Sequence, residues 1–500
     1  MNAIAPARVA WPSRRRRPLE RADLLPIAAA AVLAVAIATR SPLLIGVALA
    51  PAVVAVITRP ERALVVFAFG FYLNLPVLAA HDFHLSSGLA SGFALLLLSP
   101  FLIYLVGERR PLVVTAALPL MVGYLVVLVM SASVAGGARA STVAPLVTFL
   151  SEGLLLYLLV TNSIRTPSQL RAVIWTVMLA GALMGLLSLW QELTHSYHQT
   201  LGGLAQVDST GFNVGTGLTG KDLRPRLAGP IGEKNRYAQV LLVLLPLAVS
   251  RMRAEPTRRL RLLAAACAGL ILSGVVLSFS RGAAVAALIL VLVAAALRLI
   301  SLRQLVAILA VVATLVALVA PDYITRLQSL GNANAALSQQ SSGVDQAIQG
   351  RATENIAALG VFRDHPLLGV GPGQFFSRYS AQYGNELDLR FLEQNRRAHN
   401  LYLEIAADTG VLGLGAFLAI VLVTLVSLRR LTVRCRARSP GLVSLGNSLL
   451  AALVAYLASG IFLQLAYQRY FWFLVALANV AIWLLERELG RDQRTPLRAL

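Results

Sequence analysis

Long apolar segments recur along almost the whole chain, and short polar or basic stretches separate most of them. A helix that crosses the hydrocarbon core of a membrane needs about 20 predominantly apolar residues. Hydrophobic residues make up 57% of the 500 residues and charged residues only 13%, whereas about a quarter of the residues in a soluble domain are charged. The pattern therefore predicts an all-α integral membrane protein.

The apolar runs predict about 12–14 transmembrane helices. The candidate helices lie near 24–39, 42–58, 63–80, 89–106, 112–134, 143–161, 172–190, 237–250, 262–278, 283–300, 304–320, 401–428, 442–465 and 470–485. The run at 237–250 and the close pair around Ser280 are the weakest. The basic N-terminus resembles a signal peptide, but a second apolar run follows the first directly, which favours an uncleaved first helix.

Lysine and arginine set the predicted orientation. If the N-terminus lies inside, most of the 44 Lys and Arg residues fall in the inside segments. The basic clusters at 251–261 and 429–438 are then cytoplasmic, as the positive-inside rule requires. The net charge of +21 is therefore attributed to membrane topology and not to a nucleic-acid partner. Both termini are predicted to be cytoplasmic.

Two outside segments are too long to be simple connectors. The predicted organisation is a single membrane domain with helices in 1–320 that are interrupted by a loop near 191–236, a long loop at 321–400, and C-terminal helices in 401–500. In the long loop, 351–366 has apolar residues at helical spacing (Ile356, Leu359 and Phe362) and ends at a proline. We therefore expect the long loop to be partly helical.

Cationic side chains cluster where the outside segments meet the helices. They are Arg226, Lys234 and Arg236 at the end of the first loop, Arg281 in a short outside turn, Arg351 at the start of the loop helix, and Arg397 before the next span. Arginine presents a planar fork of donors that fits phosphate oxygens. The cluster therefore favours a lipid-linked diphosphate as ligand. The alternatives are snorkelling for Arg281 and pairing with loop acids for the others.

His399 directly precedes an apolar run and is the candidate for proton transfer, because histidine titrates near neutral pH. Three further polar residues share one face of the helix that follows, at i, i+4 and i+8 spacing: Asn400, Glu404 and Asp408. Glu404 is the predicted catalytic partner of His399. Both acids are predicted to orient His399, to fix Arg281 or to hold a loop arginine. An interfacial histidine is the alternative.

Several other kinds of site are not indicated. No phosphate-binding loop, dinucleotide fingerprint or soluble nucleotide-binding domain is present, so a cytoplasmic nucleotide sugar is not the expected donor. Cys267 lies in an apolar run and Cys435 in a basic loop, so neither a disulfide nor a zinc site is predicted. No cofactor or metal is expected. Glu152, inside a predicted span, needs a partner that the sequence does not identify.

Four stretches carry a resemblance: "RLAGPIGEKNRYA" (226–238), "SFSRGA" (278–283), "GRATENIAALGVFRDHPLLGVGPGQF" (350–375) and "AHNLYLEIAADTGVLGLGAF" (398–417). In this order the chain resembles the O-antigen ligase / O-antigen polymerase superfamily of bacterial membrane proteins. The resemblance implies a GT-C-like, metal-independent, inverting glycosyltransferase of the inner membrane whose site faces the periplasm.

Members of this superfamily transfer a glycan from undecaprenyl diphosphate to a hydroxyl of the lipid A core in ligases, or of another lipid-linked repeat in O-antigen and exopolysaccharide polymerases. By motif, Arg281, Arg351 and, less closely, Arg226 correspond to the diphosphate-binding arginines, and His399 to the catalytic or acceptor-orienting histidine. The acceptor class stays open, because the long loop and Ile356, where many relatives carry tryptophan, depart from the pattern.

A lipid-linked oligosaccharide flippase or another multi-span transporter is the alternative function. A transporter is expected to show related halves, with broken helices and charges near the membrane midplane. Here the polar residues concentrate in two unequal outside loops, and the halves show no visible similarity. This distribution favours an enzyme over a transporter or a structural partner.

Overall fold

The computed structural model describes residues 60–82, 92–135, 139–213, 223–297, 300–319, 346–387, 394–464 and 468–492. The predicted first two helices, 24–39 and 42–58, lie outside these residues. Helices dominate the described part of the chain.

The α-helices are α1 (Pro60–Tyr72), α2 (Leu75–Asp82), α3 (Leu98–Leu102), α4 (Ala117–Val134), α5 (Arg139–Thr148), α6 (Leu156–Ser163), α7 (Pro167–Thr194), α8 (Lys234–Leu242), α9 (Leu244–Ala254), α10 (Arg258–Leu277), α11 (Arg281–Ala296), α12 (Leu302–Val319), α13 (Gln346–Asp364), α14 (Ser380–Asn385), α15 (Leu401–Arg434), α16 (Pro440–Ser459) and α17 (Gln468–Asp492). The strands are β1 (Gln206–Asn213) and β2 (Leu223–Gly229). Short 3₁₀ or π segments are Gly92–Leu97, Ile103–Gly107, Phe149–Leu155 and Phe375–Tyr379.

Within the described residues, 8 helices are long and apolar enough to cross a membrane, and the pair α1 and α2, bent by 57°, raises the number to 9. Several of them expose large apolar side chains, as helices in contact with lipid do. The predicted all-α integral membrane fold is confirmed, whereas the full number of spans stays a prediction.

A small antiparallel hairpin departs from the all-helical pattern. It lies in the loop near 191–236, where β1 pairs with β2 and Asp208 stands opposite Arg226. The sequence did not predict these strands, because the segment has no alternating apolar pattern and its pairing is long-range. The hairpin packs against the start of α8.

The loop helix α13 is confirmed, but two of the three apolar residues that indicated it do not lie on its buried face. Ile356 and Leu359 are exposed, whereas the buried face carries the small residues Ala357 and Ala358 together with Val361. These small side chains form a compact core with the beginning of α15 and the segment that follows α13. A close approach to another helix selects small residues, which a search for large apolar side chains does not find.

The glycine-rich turn that follows α13 makes backbone hydrogen bonds to α15 where that helix is interrupted. Helical geometry is interrupted at Gly410, where φ is 65° and ψ is −166°. The N–H groups of Val370 and Gly371 donate to the freed carbonyls of Ala407 and Asp408 at 3.1 and 2.9 Å. The Asp408 carboxylate accepts two further bonds, at 2.8 and 2.9 Å, from the backbone N–H groups of Gly373 and Phe375. This clasp, residues 366–375 with the break at Gly410, fixes the long loop on α15.

Replacing Gly410 with alanine is expected to destabilise the clasp by about 2 kcal/mol or more, because the positive φ disfavours a side chain. The new methyl group would also overlap the Leu367 carbonyl. Gly415→Ala is the matched control, since nothing surrounds that position on the same helix. Thermal unfolding in detergent measures the difference, and equal melting temperatures for the two variants would contradict the clasp.

Candidate functional site

The first group of cations lies where the hairpin meets α8. Glu233 caps α8 by accepting hydrogen bonds from two backbone N–H groups at 2.9 Å. Lys234 Nζ lies 3.0 Å from Asp208 Oδ1, and Asp208 stands opposite Arg226 in the hairpin. The hairpin therefore brings Arg226 beside Lys234, although the two are separated by a turn of the chain.

Arg236 is the third residue of the same helix and is more deeply buried. Its side chain is buried, and one guanidinium nitrogen donates to the backbone carbonyl of Gln464 at 3.1 Å. It also interacts electrostatically with Glu404 and Arg397 at the start of α15. Arg236 thus connects α8 with the last helices of the bundle.

Arg281 begins α11 after a tight turn in which Phe279 takes a φ of 51°. Ser280 caps the helix by accepting from the Ala283 N–H at 3.3 Å, and its hydroxyl donates to Asn235 Oδ1 at 2.8 Å. Arg281 is only 6% exposed. The described turn therefore holds Arg281 inside the protein, which disfavours snorkelling to the interface.

Arg351 lines a cavity between the loop helix and the bundle. The cavity is lined by Asn235, Gln239, Ser280, Gly282, Ala283, Arg351, Ser459, Phe462 and Leu463. Both chain neighbours of Arg281 are among these residues. The turn before α11, the beginning of α8 and the beginning of α13 therefore surround one space.

His399 interacts electrostatically with Arg351, which lines this cavity, and with cations from two further segments. Its Nε2 is 3.4 Å from Glu354 Oε2, and its side chain is 31% exposed. Burial is the largest cause and the positive charges of Arg351, Arg236, Arg396 and Lys234 act in the same direction, and together they lower the pKa of His399 to about 3. The imidazole is therefore neutral near neutral pH.

Glu404 holds a loop arginine, one of the roles that the sequence suggested for it. The Arg397 guanidinium donates to Glu404 Oε1 at 2.9 Å, and Glu404 is 7% exposed. Arg397 also lies over the ring of Phe376, 4.8 Å from its centroid. The carboxylate that faces His399 Nε2 is Glu354, so Glu404 is placed to position Arg397, and its own catalytic role stays a prediction.

Asn400 and Asp408 have structural contacts. Asn400 caps α15 by accepting from the N–H groups of Tyr402 and Leu403 at 2.9 and 3.1 Å. The Asp408 carboxylate is engaged by the clasp described above. Both residues therefore support the site by fixing the start of α15.

Glu354 is a site residue that sequence reasoning missed, whereas Arg396 belongs to the basic stretch that precedes His399 in the sequence. Glu354 is 1% exposed and lies three residues after Arg351, hence on a neighbouring part of the same helical face. That spacing was the available signal. Glu152 belongs elsewhere: its partner is Arg469 at 3.3 Å, which also binds Asn74 at the bend between α1 and α2.

The low pKa of His399 predicts a pH-dependent stability. An unfolded histidine titrates near about 6.5, so at a pH between that value and about 3 the unfolded chain binds a proton that the folded chain does not. The free energy of unfolding is therefore unaffected by this group above the unfolded pKa, and it decreases as the pH falls through this window. The wild type is therefore expected to lose more thermal stability than His399→Gln between about pH 7 and about pH 4. Equal losses in the two proteins would contradict a neutral, desolvated His399.

Six of the cations and acids predicted from the sequence therefore belong to one neighbourhood around His399 or its cavity: Arg226, Lys234, Arg236, Arg351, Arg397 and Glu404. Arg281 stands in the chain between Ser280 and Gly282, which both line the cavity. Among the described residues, no group of three or more His, Cys, Asp or Glu side chains is arranged to hold a metal ion.

Comparison with known families gives one finding. Residues 266–418 match the family model described as O-Antigen ligase. The matched segment includes Arg281, Arg351 and His399, and it ends before α16. A comparison with curated proteins finds no match. The family match confirms the predicted resemblance to the O-antigen ligase/polymerase superfamily, whose members act on glycans.

Proposed function

We propose that this O-antigen ligase-like chain transfers a glycan from undecaprenyl diphosphate to the hydroxyl of an acceptor sugar on the periplasmic side of the bacterial inner membrane. The observation that carries the proposal is the cluster of cations near His399, namely Arg351, Arg236, Arg396 and Lys234, one of which, Arg351, lines the cavity. Like charges repel one another, so a cluster of this kind is favoured when a multiply charged anion binds between them. A lipid diphosphate is such an anion.

The donor is proposed to bind with its diphosphate between the cavity rim and α8. Arg351 from α13 lines the cavity, and so do Ser280 and Gly282, the chain neighbours of Arg281. Asn235, which stands between Lys234 and Arg236 in α8, lines it as well. The charges of these arginines and of Lys234 stabilise the negative charge that develops on the leaving diphosphate. Arg226 adds positive charge next to Lys234.

The proposed reaction is one displacement. The acceptor oxygen attacks the anomeric carbon and forms the new C–O bond, while the bond from that carbon to the donor phosphate oxygen breaks. The bonding electrons leave with the diphosphate, and the acceptor's proton passes to His399. A single displacement inverts the anomeric carbon. Glu404 acts by holding Arg397, which stands two residues before His399 in the sequence.

The acceptor class decides between a ligase and a polymerase, and one assay tests both. The purified chain receives a lipid-linked oligosaccharide together with either lipid A core or a second lipid-linked repeat. A product with the core alone is the result for a ligase, and a product with the second repeat alone is the result for a polymerase. No covalent product with either acceptor would contradict the proposed transfer.

The same preparation distinguishes a transporter. Reconstituted in vesicles, a flippase would move the lipid-linked glycan between leaflets without forming a new glycosidic bond. The proposed enzyme is expected to form the bond in detergent, where no second leaflet exists. Translocation without bond formation would replace the proposal by the transporter alternative.

A further inference from the structure

The carboxylate of Glu354 is the acidic group nearest to the imidazole of His399 in the contacts of the described residues. The two side chains approach to 3.4 Å between Glu354 Oε2 and His399 Nε2. Glu354 is 1% exposed and lies on the buried side of α13. Burial of an ionised carboxylate costs free energy unless nearby groups stabilise its charge. Arg396 lies 3.9 Å from the other carboxylate oxygen of Glu354, which favours the ionised form.

The two nitrogens of His399 have different surroundings. Nε2 faces the carboxylate at 3.4 Å, an ion-pair distance that is longer than a usual hydrogen bond, whereas Nδ1 is buried and has no hydrogen-bond partner among the described residues. A neutral imidazole carries its proton on one nitrogen and accepts a proton on the other. A carboxylate next to Nε2 favours the tautomer with the proton on Nε2, which leaves Nδ1 as the acceptor.

We propose that Glu354 is the positioning residue of His399: its carboxylate holds Nε2–H, so that Nδ1 receives the proton of the acceptor hydroxyl. When Nδ1 takes that proton, the imidazolium forms among cations on every side, namely Arg351 on α13, Lys234 and Arg236 on α8, and Arg396 before α15. The negative charge of Glu354 offsets part of this repulsion at that step. A base oriented by a third group is a recurrent arrangement in enzymes. This inference rests on the proposed transfer reaction.

The test compares transfer kinetics of full-length variants in membranes of the same composition. Glu354→Leu is expected to lower kcat about 100-fold while the KM for the donor changes less than about threefold. Glu354→Gln keeps an amide oxygen that accepts from Nε2–H and is expected to stay within about tenfold of the wild type. Glu386→Leu, which removes an exposed carboxylate of the same loop, is the control and should leave the rate unchanged.

A double-variant cycle separates positioning from simple structural support. If Glu354 acts through His399, adding Glu354→Leu to His399→Gln should lower the remaining rate no further. Independent losses that multiply in the double variant would overturn the inference. Normal transfer by Glu354→Leu together with loss of transfer in His399→Gln would also overturn it, and would leave the proposed function standing. Normal transfer by His399→Gln would instead contradict the proposed function.

A spectroscopic readout tests the tautomer without relying on residual activity. In the full-length protein labelled with ¹⁵N-histidine, the His399 signals are those that disappear in His399→Gln. We expect Nε2 to carry the proton and Nδ1 to be bare in the wild type, and both tautomers to be present in Glu354→Leu. A wild-type His399 protonated on Nδ1 would overturn the inference even if all rates agreed.

Discussion

Replacing His399 with alanine is expected to reduce glycan transfer by about 10²–10⁴-fold, the range that a positioned general base contributes. The imidazole is neutral, lies next to Arg351 and has a buried Nδ1, so its loss removes the group that is proposed to receive the proton of the acceptor hydroxyl. Membrane abundance should stay unchanged, since the side chain is partly exposed and contributes little to the core.

The control for this variant is His365→Ala, which removes an exposed histidine of the same long loop. His365 contacts the ring of Tyr379 and none of the cations named around His399. Its replacement should leave the transfer rate within about twofold of the wild type. Similar rates for His399→Ala and the wild type would remove His399 from the reaction.

Replacing Arg351 with alanine is the second large effect, with an expected loss of about 10²–10³-fold in kcat. Arg351 lines the cavity, and its charge has the largest effect, after burial, in lowering the pKa of His399. A lysine keeps the charge but not the two-pronged donor, so Arg351→Lys should recover only part of the rate. Rates at saturating donor, measured for each variant, separate this loss from weaker binding.

Arg363→Ala is the matched control for Arg351→Ala, because Arg363 lies exposed in the last turn of the same helix. An equal loss in the two variants would point to a general effect of loop charge. A loss confined to Arg351→Ala supports a specific contact with the leaving diphosphate.

Membrane insertion and the loop helix could be predicted from the sequence, because both depend on local patterns. Apolar length identifies the spans, and the spacing of residues in 351–366 together with Pro366 identifies α13. The buried face of α13 could not be predicted in the same way. It depends on how closely the helix approaches α15, and small residues such as Ala357 and Ala358 carry that information only once the partner is known.

The cations of the candidate site could be identified from the sequence, whereas the partners of its acidic residues could not. The arginines stand out in the sequence because charge is costly next to membrane helices. The partner of each acid depends on chain segments that are far apart. Asp208 reaches Lys234 only through the hairpin, and Glu354 reaches His399 only through the clasp that fixes α13 on α15. Asp408 was expected to orient His399 or to hold an arginine, but its carboxylate accepts a hydrogen bond from the backbone of the clasp.

Release of undecaprenyl diphosphate by the purified protein is the most direct test of the proposed transfer. The donor is undecaprenyl diphosphate carrying a labelled glycan, supplied with the acceptor that gives product. We expect one lipid diphosphate to appear for each glycan joined, at a rate that falls to background in His399→Ala and Arg351→Ala. Glycan joining without release of the lipid diphosphate, or equal release by the wild type and both variants, would contradict the proposed transfer.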